Sequence, residues 1–190
     1  MKSITRKMAD EEIVQIILSG NNKAFEIIYD RYASKVFSKC VSFAKDRSLA
    51  EDYTHDIFLK VFINLSNFRM SAKFSTWLYA ISFNYCVDQQ KAVIKKRLGQ
   101  HNYYEEELET IIEPQDEQLF QIELERLKSL LYELPAEDRM LLLLKYQDEF
   151  SIKQLAEIYQ LKESAVKMRL KRNKAKIMEM YTDKYAHNVI

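Results

Sequence analysis

Glycine and proline are scarce: the chain of 190 residues holds two of each. Average usage would give roughly 13 glycines and roughly 9 prolines. With so few residues suited to tight turns, the composition argues against an all-β sandwich or barrel. A dinucleotide fingerprint needs three glycines, and the two present are Gly20 and Gly99. A P-loop needs Gly-Lys-Ser/Thr, whereas Gly20 precedes Asn21 and Gly99 precedes Gln100. Cys40 and Cys86 are too few for a disulfide framework or a metal site and read as buried thiols in a reducing compartment. His55, His101 and His187 have no metalloprotease spacing. The longest apolar run, Met140–Leu144, is too short for a bilayer, and the start MKSITRKMADEE has no signal-peptide core. The expectation is a cytoplasmic protein with no membrane insertion.

What the chain does have is helical periodicity. Hydrophobic residues make up 47%, enough to bury a core, and 29 basic residues nearly balance 28 acids. Asp10-Glu11-Glu12 precedes a short apolar helix, Ile13 to Leu18, that stops near Gly20. Phe25, Ile28, Tyr29, Tyr32, Val36 and Cys40 share one helix face. Ser48 with Glu51 fits a capping box for a second long helix, whose apolar face is Tyr53, Ile57, Phe58, Val61 and Leu65. After a break at Asn67–Ser71, a third helix carries Phe74, Trp77, Leu78, Ile81 and Tyr85. Three or four such helices make a compact bundle.

The composition then shifts. KAVIKKR, residues 91–97, holds four basic residues and no acid, whereas residues 101–118 hold seven acids and no Lys or Arg. Residues 98–118 therefore read as an interdomain linker, either a solvated acidic loop or a segment mimicking nucleic acid. A second helical unit starts at Leu119. Pro135 suits the first turn of a helix carrying Met140 to Tyr146, and Ser151 with Gln154 makes another capping box. That box opens a short helix, Ile152 to Tyr159. A turn at Gln160-Leu161-Lys162 leads to a last helix from about Glu163.

The last helix carries the chemistry. Val166, Leu170 and Ile177 face inward, while Ser164, Lys167, Met168, Lys171 and Lys174 are placed on the opposite side, with Arg169 and Arg172 at the flanks. From Lys162 to Lys176 there are seven basic residues and one acid. A short capped helix, a tight turn and a longer basic helix form a helix-turn-helix, whose second helix fits the DNA major groove. The bland alternative is a solvated basic face. In the first unit, Phe68, Arg69, Lys73, Phe74, Trp77, Tyr79 and Tyr85 mix aromatic and basic residues, a composition suited to unstacked bases. Phe74, Trp77 and Tyr85, however, share the apolar face and serve first as core.

The order of segments resembles a family. AEDYTHDIFLKVF at 50–62, FSTWLYAI at 74–81, Asn84 and Asp88 look like region two of the extracytoplasmic-function (ECF) sigma factors. Leu134-Pro135, SIKQLAE at 151–157 and AVKMRLKR at 165–172 look like region four. The resemblance spans about residues 10–97 and 119–180. It implies an all-α protein of two small helical domains: 1–97, which binds core RNA polymerase and the −10 element; 98–118, an acidic linker passing near the RNA exit path; and 119–190, which reads the −35 element.

The resemblance also assigns residues. Asp52, His55, Asp56 and Lys60 match the face that binds the β′ clamp helices. Phe68, Arg69, Lys73, Asn84, Asp88 and Lys91 lie where the family captures the −10 strand. Lys162, Glu163, Ser164, Lys167, Met168, Lys171 and Arg172 lie on the −35 reader, in the region that docks on the β flap. The implied partners are core polymerase and promoter DNA, with room for an anti-sigma factor; no cofactor, metal or catalytic residue is implied. Three positions depart from the pattern. His55 stands where Gln is common, Met168 is apolar where it would meet DNA, and Gln160 replaces the usual turn glycine, at a position where positive φ is uncommon for other residues. Rival readings are a dimeric helix-turn-helix regulator, which would need a dimer interface or ligand pocket in the first domain, and a scaffold bundle. A metal phosphohydrolase rests on His55-Asp56 alone and lacks further ligands.

Overall fold

The computed structural model describes residues 8–44, 46–98 and 124–185, with the side chains of 94–98 and 124 set aside. The acidic linker reading for 98–118 and the first residues of the helix expected from Leu119 lie outside the described residues. Among the described residues the regular elements are helices, with no strand. The chain divides into two compact units, the first made chiefly of the residues up to Arg97 and the second chiefly of those from Leu98.

The first unit contains α1 (Asp10–Leu18), α2 (Phe25–Ala44), α3 (Arg47–Ile63) and α4 (Phe74–Leu98). Helix α1 has three acids in its first turn, where the exposed N–H groups favour negative charge. Its apolar residues Ile13, Val14 and Ile17 are buried. It ends at Gly20, whose φ of 106° is the left-handed conformation that closes a helix. A Cβ there would meet nothing within 4 Å, so backbone conformation, not crowding, selects glycine.

Helices α2 and α3 bury the faces that periodicity predicts. Ile28, Tyr32, Val36 and Cys40 are buried on α2, and Tyr53, Ile57, Phe58 and Val61 on α3, followed by Leu65 in a short 3₁₀ turn. Phe25 and Tyr29 sit at the edge and stack on Phe58, with ring centroids 6.3 and 4.8 Å away. The start of α3 differs from the expected Ser48–Glu51 box. Asp46 is the cap: its Oδ1 accepts from Leu49 N at 2.8 Å, and Glu51 pairs instead with Arg47 at 3.3 Å. Asp is as good a cap as Ser, and its upstream position starts the helix earlier. Cys40 and Cys86 join α2 to α4 as free thiols, fully buried with their Sγ atoms 4.0 Å apart.

The second unit contains α5 (Leu124–Glu133), α6 (Ala136–Leu142), α7 (Ile152–Tyr159) and α8 (Glu163–Tyr185). Leu130, Leu134, Met140, Leu144, Leu155, Val166, Leu170 and Ile177 form its core. Pro135 is the residue before α6 rather than inside its first turn. Arg139, 3% exposed, donates from Nη1 to the carbonyls of Leu131 (3.3 Å) and Tyr132 (2.9 Å), and lies 4.9 Å from the Tyr132 ring. It thus satisfies carbonyls left open at the end of α5. Burial pushes its pKa down. Helix α6 widens into a π turn over Leu143–Gln147, with Asp148 N bonded to Leu143 O at 3.1 Å.

Candidate nucleic-acid and polymerase interfaces

The helix-turn-helix is built by local chemistry. Ser151 Oγ accepts from Gln154 N (3.3 Å) and Gln154 Oε1 accepts from Ser151 N (3.0 Å), the reciprocal capping box expected for α7. At the other end Gln160 adopts φ 53°, so the turn keeps its left-handed residue without glycine. Glu149, before α7, has φ 57°. Both ends of this short helix are set by non-glycine residues in the left-handed region, each at a cost of about 1–2 kcal/mol.

Lys162, just before α8, and Glu163, Ser164, Lys167 and Met168 on it are exposed to solvent, with Lys171 and Arg172 half-buried. Lys174 is 8% exposed, so the opposite-face placement is corrected. It follows Val166 and Leu170 at steps of four, which keeps its stem beside the buried stripe. Lys145, Lys167, Lys171 and Lys174 line one groove of about 460 Å³ together with Ser164 and Met168. Lys145 escaped the sequence reading because it lies in the π turn that continues α6, outside the helix-turn-helix. Arg169 is committed to protein: its Nε donates to Asp138 Oδ1 at 2.5 Å and its Nη2 to Glu137 Oε2 at 3.1 Å. Burial alone would lower its pKa, but Asp138 and Glu137 outweigh that and raise it. These bonds fix α8 on α6.

In the first unit, the segment between α3 and α4 is a 3₁₀ turn, Leu65–Asn67, followed by a turn closed by Ala72 N to Arg69 O at 3.2 Å. Phe68 is 6% exposed, with its ring centroid 5.6 Å from Phe74 and 5.4 Å from Trp77. Its ring is packed in the aromatic core of the unit. Arg69, Met70 and Lys73 remain exposed. Asn84, Asp88 and Lys91 are exposed at helical steps on one face of α4.

Asp52, His55, Asp56 and Lys60 are all exposed on α3. They are not equivalent. Asp56 Oδ2 accepts from the Tyr85 hydroxyl at 2.5 Å, and Lys60 Nζ lies 5.8 Å from the Tyr85 ring centroid. Burial, then the hydrogen bond and charge of Asp56, push the Tyr85 pKa well above the usual phenol range. Alongside these polar residues, Leu59 and Ile63 are 58% and 66% exposed. The face is therefore partly apolar, a feature missed because α3 has more apolar residues than its buried side needs. Among the described residues no three of His, Cys, Asp and Glu gather into a metal-holding group, and no helix is long and apolar enough to cross a membrane.

Residues 28–93 match the family model of sigma-70 region 2, and residues 124–177 match that of sigma-70 region 4. The chain belongs to the ECF sigma factors. Over 189 residues it is 25% identical to the ECF RNA polymerase sigma factor SigW of Bacillus subtilis, covering 93% of this chain and 99% of that one. Its fold is similar to that of CnrH in a complex with the cytosolic domain of CnrY, with a TM-score of 0.67 and 22% identity over 93% of this chain and 99% of the other. It is also similar in fold to the sigma factor RpoE of Bartonella quintana, solved with the anti-sigma factor NepR, with a TM-score of 0.64 and 20% identity over 85% of this chain and 99% of the other. Sigma factors are transcription initiation factors, not enzymes. In this sigma factor the helix-turn-helix falls within the region-four match, and both α3 and the loop before α4 fall within region two.

Proposed function

We propose that this sigma factor works in the cytoplasm, as a non-catalytic subunit, and divides promoter recognition between its two units. Residues 1–97 bind core polymerase and the −10 strand, 98–118 link the units, and 119–190 dock on the β flap and read the −35 element. On α3, Asp52, His55, Asp56 and Lys60 meet the β′ clamp helices as a charged rim beside Leu59 and Ile63. Arg69, Lys73, Asn84, Asp88 and Lys91 follow the displaced strand, with cations near phosphates and the loop near an unstacked base. An anti-sigma factor belongs to this reading too, since two proteins of similar fold were solved in such complexes or with a cytosolic partner domain.

The observation that carries the reading is the exposed face of α8, where Ser164, Lys167 and Met168 stand free at the end that reaches base edges in a helix-turn-helix. Lys171 and Arg172, further along, meet phosphates, which position the helix without reading sequence. Lys167→Ala in the holoenzyme should change base preference within the −35 element, by about 1–3 kcal/mol at the position it reads. Lys171→Ala should weaken binding to all sequences and flatten its salt dependence. Holoenzyme binding to a randomised −35 pool at several salt concentrations measures both. Unaltered preference and unaltered salt slope would remove α8 as the reader.

A further inference from the structure

Helix α1 precedes the region-two match at residue 28, and its three acids have no part in the roles assigned above. They do three separate jobs. Glu12 Oε2 accepts from Ala9 N at 3.2 Å and closes its own helix start. Asp10 takes Arg31 and, at 2.5 Å, the Tyr32 hydroxyl. Glu11 Oε1 reaches across the unit and accepts from Phe74 N at 2.9 Å.

Phe74 is the first residue of α4, and its N–H is one of the amides that a helix cannot satisfy by itself. It also ends the loop whose residues from Arg69 to Lys73 are all exposed. The ring of Phe74 is buried between Tyr32, 6.0 Å away by centroids, and Phe68 at 5.6 Å. Phe68 holds the near end of the same loop in the core. The exposed turn is thus suspended between two fixed points, and α1 holds the far one directly, through Glu11 on the Phe74 amide, and indirectly, through Asp10 on the hydroxyl of Tyr32, the α2 residue against which the Phe74 ring packs.

We infer that Glu11 is a positioning residue for strand opening: by capping α4 it fixes the Arg69–Lys73 turn in the conformation that receives the unpaired −10 base. This rests on the reading of that loop as the opening element. Glu11 itself touches no DNA. Its oxygen acts on the Phe74 amide, and the amide sets where the loop meets the helix.

The test uses full-length protein with core polymerase and compares Glu11→Ala, Glu11→Gln and a loop variant, Arg69→Ala/Met70→Ala/Lys73→Ala. Four quantities are read: Phe74 amide exchange, core affinity, permanganate-reactive DNA on a duplex promoter, and transcription from a template already melted at −10. In Glu11→Ala the Phe74 amide should exchange about tenfold faster and opening should fall about fivefold, the size of a lost helix cap. Core affinity should stay within about twofold, and the melted template should restore most activity. Glu11→Gln keeps an oxygen acceptor and should open promoters nearly as wild type does. The inference is overturned if Glu11→Ala opens normally while the loop variant does not. It is equally overturned if Gln fails as Ala does, or if core affinity and opening fall together. A loop variant that opens duplex DNA normally overturns the loop reading itself, and the role of Glu11 with it.

Discussion

Asp52 and Asp56 look interchangeable in sequence, one turn apart on the polar side of α3, yet they carry different duties. Asp52 is an exposed acid, whereas Asp56 also accepts the Tyr85 hydroxyl. Asp52→Lys should weaken core polymerase affinity about tenfold, as a reversed interface charge does, with helix content unchanged. Asp56→Lys should add a loss of stability of about 1–3 kcal/mol, because Tyr85 loses its partner. Titration of core polymerase and a urea melt of each variant separate the two effects; equal melts for both would show that the Tyr85 bond contributes nothing. Tyr85 also makes the first unit sensitive to alkali. Its folded pKa is raised, so the fold favours the protonated phenol. That contribution is complete below the unfolded value of about 10 and is lost as pH rises above it. Tyr32, whose pKa is raised by burial and then by Asp10, and Tyr53, raised by burial, act in the same direction. In Tyr85→Phe the fall of stability above pH ~10 should be shallower by up to about 1.4 kcal/mol per pH unit. Urea melts at successive alkaline pH values give the slope, and an unchanged slope would mean that Tyr85 ionises as freely in the fold as outside it.

At the scale of the helix, the parts that were legible are those set by local rules. The Ser151–Gln154 box, the inward stripe of Val166, Leu170 and Ile177, and the core face of α3 follow from spacing and cap chemistry alone. What escaped was set by competition or by tertiary contact. Ser48 and Glu51 fit a cap pattern, but Asp46 stood upstream and Arg47 claimed the glutamate. Lys174 counted as a basic surface residue, while its phase on α8 places its stem on the core. Arg139 draws no notice in the sequence and Arg169 is placed there only at the flank of the basic face, yet both are fastened to carbonyls and carboxylates of neighbouring helices. The π turn within Leu143–Gln147 has no sequence signature in a run of leucines. Gln160 gives a direct check on the helix-turn-helix. Its φ of 53° costs a non-glycine residue energy, so Gln160→Gly should raise the stability of the second unit by about 0.5–1 kcal/mol and leave α8 in place. A thermal melt measures this; a lower midpoint would show that the glutamine side chain contributes more than the strain removes.

Across the whole molecule, a net charge of +1 hides strong segregation. Four basic residues crowd 91–97 and seven crowd 162–176, while seven acids fill 101–118. Such segregation suits a chain that must approach polyanionic DNA at two places without binding it indiscriminately. The two region matches assign the chain one activity, that of a sigma factor. Run-off transcription by core polymerase with and without this chain, on a library of promoters of varied −10 and −35 sequence, tests that activity most directly. The predicted result is chain-dependent RNA from a subset of promoters sharing both elements, with the subset shifted by Lys167→Ala through the −35 element and the RNA yield lowered by Asp52→Lys through core binding. RNA no different from that of core polymerase alone, across the whole library, would contradict it.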